Sequence, residues 1–241
     1  MEQISKPTLK QMLKTAMLPM GKTMYIYGGG WNETDSGAGE DALRIGVNPQ
    51  WEAFFEQQDG SYQYQKYRYR SGKGLDCSGY LGWLFYNLFH EKQSREERYV
   101  YKAAEIAWEY AKKGWGTFTP KSEVRDYRCG DIMSCEDGHV YLVFGSCEDG
   151  SVVLLHASPP GIQISGTVTP KGEKESEAVR LAEQIMRQRF PKWFMKYPKN
   201  LRGISYLKDY HQMRWDLKGG VMADPEGFRW MNAYEIAEKM E

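Results

Sequence analysis

The sequence carries no net charge, because its 32 lysines and arginines are matched by 32 aspartates and glutamates. A protein that grips a nucleic-acid backbone by bulk charge needs a basic face and usually a basic total, so the balance argues against that class. Cysteine is scarce, with only Cys77, Cys129, Cys135 and Cys147. Four are too few to staple a chain of 241 residues as a disulfide scaffold. Cys129 and Cys135 also stand too far apart for the paired ligands of zinc ribbons, so no metal is expected. Long apolar runs are missing as well. No stretch reaches the roughly 18 apolar residues that a membrane span needs. Lys10 and Lys14 break the N-terminal segment where a secretory signal would need an apolar core. The expectation is a soluble protein, cytoplasmic as written, with export by another route left open.

Aromatic residues, in contrast, are abundant: 17 Tyr, 9 Phe and 8 Trp within a 41% hydrophobic composition. That is enough apolar material to bury a core, and the length suits one domain with insertions. The aromatics concentrate in residues 31–75, which carry Trp31, Trp51, Phe54, Phe55, Tyr62, Tyr64, Tyr67 and Tyr69. This segment reads as an insertion forming a lid or cleft wall, with a short helix over 49–57. A strand over 62–70 would present Lys66, Arg68 and Arg70 on its other face.

Elsewhere the periodicities are clearer. Leu9, Met12, Leu13 and Met17 share one face of an N-terminal helix, followed by a short strand over 24–27. Tyr80, Leu81, Leu84, Phe85 and Leu88 predict a helix over 77–90, with Asp76 at its N-cap position. A second helix is expected over 96–113, ended by Gly114. Runs at 130–134, 139–145, 151–156 and 162–165, separated by turn-forming residues, describe an antiparallel meander. A charged helix over 174–189 and short strands at 212–217 and 227–231 complete the order. The fold class expected is α+β, with helices packed on one side of an antiparallel sheet.

Three reactive side chains fall at element boundaries. Cys77 begins a helix, where unsatisfied amides and the helix dipole favour a thiolate and can hold an oxyanion. His139 starts one strand and His156 ends the next, so pairing of those strands would bring the imidazoles to one edge. Nucleophile, base and orienting group are the parts of a cysteine hydrolase or acyltransferase.

The blocks Tyr25-Ile26-Tyr27-Gly28-Gly29, Leu75-Asp76-Cys77-Ser78-Gly79-Tyr80, Gly130-Asp131-Ile132, His139-Val140-Tyr141-Leu142-Val143-Phe144-Gly145 and Leu155-His156-Ala157 resemble the ordered motifs of the NlpC-type cysteine peptidases, also called the NlpC and p-sixty family. The likeness covers roughly residues 8–30 and 75–165. It implies a papain-like fold and hydrolysis of bacterial cell-wall (murein) stem peptides, typically between D-γ-glutamate and diaminopimelate or lysine. Cys77 would be the nucleophile, His139 the general base and later acid, and His156 the orienting residue. Tyr25, Asp76 and Ser78 would line the substrate site, with Asp76 holding a free L-alanine amine. Such a mechanism needs neither metal nor organic cofactor, and its partner is a peptidoglycan-derived peptide.

The sequence departs from that pattern in two places. Residues 31–75 replace a short loop, and residues 166–225 place a mainly helical stretch before the expected last strand. Two alternatives stay open: a non-catalytic peptide-binding module on the same fold, and an amidase or acyltransferase of the same superfamily.

Overall fold

The computed structural model describes residues 6–89 and 98–240. Helix α1 (Leu9–Met17) starts at a Thr8 capping box with Gln11 and buries Leu9, Met12, Leu13 and Ala16. Strand β1 (Met24–Tyr25) follows. In the aromatic segment, α2 (Pro49–Glu56) is capped by Asn48 and buries Trp51, Phe54 and Phe55. The expected strand over 62–70 is instead a 3-10 turn, Tyr64–Tyr67. The aromatics there recur at intervals of two, three and two, and the turn lets Tyr62 and Tyr67 stack at 5.6 Å with Phe54 edge-on to both. Lys66, Arg68 and Arg70 are exposed, and the Arg68 guanidinium lies 4.2 Å from the Tyr27 ring centre.

Strand β2 (Gly74–Leu75) leads into α3 (Cys77–Phe89), which is buried on every side through Tyr86. The second expected helix is shorter than its sequence pattern. Helix α4 spans Ile106–Lys112, and the described residues ahead of it pack non-helically, with Val100 filling the space beside Gly82 of α3. Residues 96 and 97 of that expectation lie outside the described residues.

Strands β3 (Gly116–Thr119), β4 (Ile132–Cys135), β5 (His139–Ser146), β6 (Val152–Ser158) and β7 (Gly161–Thr167) come next. Helices α5 (Glu177–Arg189) and α6 (Pro191–Lys196), strand β8 (Leu201–Arg202), the short α7 (Ser205–Lys208) and β9 (His211–Trp215) follow. The region 166–225 thus contains two strands, β8 paired with β7 and the last strand β9 paired with both β3 and β4. The strand expected over 227–231 is a 3-10 turn, Phe228–Trp230, because the Asp224 carboxylate accepts the amides of Phe228 and Arg229 and winds the chain into a cap. Helix α8 (Ala233–Lys239), opened by an Asn232 capping box, was not foreseen.

The strands form one nine-stranded sheet in the order β2-β1-β7-β6-β5-β4-β9-β3, with β8 alongside β7. The meander β4 to β7 is antiparallel as expected, but β1 with β2 and β7 with β8 run parallel, so the sheet is mixed. The class is α+β. Alternation divides β5 and β6 between two faces. Val140, Leu142, Phe144, Val153 and Leu155 join the large core beneath the main helices. Tyr141, Val143, Val152 and Leu154 face a second, smaller cluster closed by Tyr206, Leu207 and Tyr210. Both faces are therefore covered, where the sequence suggested helices on one. The described helices include none long and apolar enough to cross a membrane.

Candidate active site

The N-terminus of α3 is fixed by a carboxylate. Asp76 Oδ1 accepts the Gly79 amide at 2.7 Å and the Ser78 hydroxyl at 3.0 Å, while Oδ2 accepts the Gly28 amide at 3.1 Å. The same side chain thus caps α3 and ties it to the glycine loop after β1. A glycine at 79 is required by that approach, since a Cβ there would stand 2.0 Å from the Gly29 carbonyl oxygen. Two of the sequence blocks, Gly28-Gly29 and Asp76-Cys77-Ser78-Gly79, are consequently one physical contact. Ser78 Oγ is also engaged, accepting the Trp31 indole N–H at 2.9 Å. Asp76 and Ser78 line the cleft, but much of their hydrogen-bonding capacity serves the scaffold. Burial raises the Asp76 carboxyl to about 7, against the lowering by the Gly79, Gly28 and Ser78 amides and the Ser78 hydroxyl.

Cys77 opens onto a cleft of about 370 Å³ whose walls include Tyr25, Tyr27, Trp31, Tyr69 and Asp76. Its Sγ lies 3.8 Å from the Gly138 carbonyl, directly before His139. Burial and the nearby Asp76 push the thiol up, while the amides of Val140, Ser78 and Cys77 itself pull it down. Burial is the larger effect and holds the thiol above its ordinary value, against the lowering expected from the helix start. Tyr25 stands beside the nucleophile. Its hydroxyl is driven well up by burial and then by the charges of Cys77 and Asp76.

The two histidines come together as the strand register dictates. Leu142 pairs with Leu155, so His139 and His156 are diagonal neighbours on one face of the sheet. His139 Nε2 is 3.0 Å from His156 Nδ1. With that nitrogen engaged, Nδ1 is the remaining ring nitrogen of His139, and no hydrogen bond joins it to Cys77 among the described residues. His156 Nε2 in turn lies 3.0 Å from Ser165 Oγ of β7. Burial, reinforced by the Arg202 charge, lowers His139 to about 3 and takes the fully buried His156 well below the ordinary imidazole value.

Arg202 is the residue that sequence reasoning missed. It belongs to no motif and lies in the 166–225 stretch, yet its Nε–H donates to His156 Nε2 at 3.2 Å. Only the parallel pairing of β8 with β7, between residues 35 positions apart at Thr167↔Arg202, reveals it. The aromatic segment also proves to be two things. Trp31 and Tyr69 form cleft wall, whereas Trp51, Phe54 and Phe55 are core.

Among the described residues, Cys147, Asp149 and Glu177 are close enough to share a cation. Their carboxylate oxygens already accept the amides of Ser151, Glu177, Glu148 and Asp149, which ties the β5–β6 turn to the start of α5. Comparison of the chain with protein-family models, with curated proteins and with solved structures gives no match.

Proposed function

We propose that this protein is a cysteine peptidase of the papain-like NlpC type that hydrolyses cell-wall stem peptides, with D-γ-glutamyl-diaminopimelate or -lysine as the bond cut. The observations that carry the reading are Cys77 at a helix start with its Sγ 3.8 Å from the carbonyl of Gly138, the residue before His139, and the His139–His156 contact of 3.0 Å. In this mechanism His139 accepts the thiol proton at Nδ1 as Cys77 attacks the scissile carbonyl. The amides at the start of α3 stabilise the oxyanion, and the resulting imidazolium returns the proton to the leaving amine. Water then cleaves the thioester, with His139 again as base.

Tyr25 and the exposed Asp35 supply the cleft with polar atoms for a peptide, and Trp31 and Tyr69 with apolar walls. The test is a panel of defined stem peptides, with free or acetylated L-alanine amines, incubated with wild type and Cys77→Ala and analysed by mass spectrometry. Hydrolysis of an amide bond by wild type alone supports the reading. Activity surviving in the variant, or binding without turnover in both, overturns it, and the second result favours the peptide-binding module.

A further inference from the structure

We propose that Arg202 is a positioning residue of this site which, acting through His156, sets the ring nitrogen on which each histidine carries its proton. The inference rests on the Cys-His-His reading for its consequence but not for its geometry. A guanidinium Nε always bears hydrogen, so the 3.2 Å contact places a lone pair on His156 Nε2. The single proton of neutral His156 then sits on Nδ1 and is donated to His139 Nε2 across 3.0 Å. Neutral His139 must therefore carry its own proton on Nδ1, the nitrogen to which the proposed mechanism assigns the Cys77 proton. In that arrangement Nδ1 is a donor and cannot take the thiol proton.

The proton-accepting form of His139 has Nε2–H, which requires a lone pair on His156 Nδ1 and the His156 proton on Nε2. Ser165 Oγ, 3.0 Å away, can accept that proton, but the Arg202 N–H opposes it. The Ser165 hydroxyl, which can donate or accept, is compatible with both proton arrangements, whereas Arg202 is compatible only with the first. Arg202 thus favours the non-accepting arrangement.

The side chain is suited to such a choice. Among the described residues Arg202 makes no ion pair with a carboxylate, and its buried Nη2 has no hydrogen-bond partner. Its surroundings are Tyr206 of α7 and Tyr210 beyond it, which also stack edge-on to His139. Those tyrosines in turn lie near the Cys77, Cys135 and Tyr141 side chains, while β7 offers the pair the neutral Ser165. Arg202 is the one cation in this set. Its charge disfavours an imidazolium, and hence the thiolate–imidazolium pair that forms when the Cys77 proton moves to His139.

The test compares wild type, Arg202→Gln and Arg202→Lys as full chains. Nitrogen-15 NMR of the imidazoles is expected to show Nδ1–H on both histidines in wild type. His156 protonated on Nε2 in wild type overturns the proposal, and this readout survives even if a variant fails to fold. Iodoacetamide labelling of Cys77 at pH 6 is expected to be at least about tenfold faster in Arg202→Gln, as one unit of imidazole pKa would give. Arg202→Lys, which keeps a charged donor, should stay near the wild-type rate. Equal rates in wild type and a folded Arg202→Gln also overturn the proposal. Peptide hydrolysis is scored separately: its absence with the expected tautomers overturns the peptidase reading and leaves the role of Arg202 standing.

Discussion

Substituting Gly79 by alanine tests the contact that joins the nucleophile's helix to the glycine loop. The added Cβ would stand 2.0 Å from the Gly29 carbonyl oxygen and 3.0 Å from both Gly29 C and Gly30 Cα, where ordinary contacts begin at 3.4 Å. All three obstacles are backbone, so no flexible side chain can yield. In an exposed helix, glycine to alanine gains about 1 kcal/mol. Overpacking costs about 1–3 kcal/mol, and a rigid backbone obstacle puts this site at or above the upper end. The net expectation is a loss of about 2 kcal/mol, or about 4–8 °C in Tm for a chain of this size. Thermal and urea unfolding measure it, with Gly60→Ala as control, since a Cβ there meets only Lys196 O at an ordinary 3.6 Å. Displacing α3 should also change the rate of Cys77 alkylation. A Gly79→Ala protein that melts within about 1 °C of wild type, with Cys77 labelled at the same rate, would refute the reasoning.

Two further substitutions probe buried charge. The Asp76 carboxyl is raised from 3.8 to about 7 by burial, so its favourable share of stability is full below about pH 4 and lost as pH rises toward 7. Linkage puts the loss at about 4 kcal/mol. Asp76→Asn keeps a capping oxygen without the titration, so urea midpoints should fall between pH 4 and 7 in wild type and stay flatter in the variant. Parallel curves would contradict the burial argument. Arg214 holds the fully buried Asp131 through Nη2 at 2.6 Å and Nε at 3.0 Å. Arg214→Met leaves that carboxylate without its counter-charge and should cost about 3–5 kcal/mol in urea unfolding. A loss below about 1 kcal/mol would show that the pair contributes little.

The local patterns were legible where one physical signal controlled the outcome. The apolar face of α1, the Asp76 cap on α3 and the turn-separated runs of β4 to β7 each follow from periodicity or capping chemistry. The approach of His139 to His156 followed too, because strand pairing fixes it once the meander is recognised. The misreadings share a different origin. Tyr62 to Tyr69 favour a strand by composition, but side-chain stacking on Phe54 selects a compact turn. Residues 98–105 read as helical until Val100 packs beside Gly82. Trp51 and Phe55 sit in a segment that looks like a lid, yet tertiary burial makes them core. Arg202 reaches His156 only through the pairing of β8 with β7, a nonlocal contact that no spacing encodes.

The central claim is that Cys77 forms an acyl-enzyme with the help of His139. Its most direct test is intact-mass measurement of the full chain mixed with a hydrolysable stem peptide and quenched in acid within the first turnovers. The account expects an added mass equal to the acyl half of the peptide, mapped to Cys77 in wild type, absent in Cys77→Ala and strongly reduced in His139→Ala. Peptide cleavage with no adduct in wild type, continuing undiminished in Cys77→Ala, would contradict it.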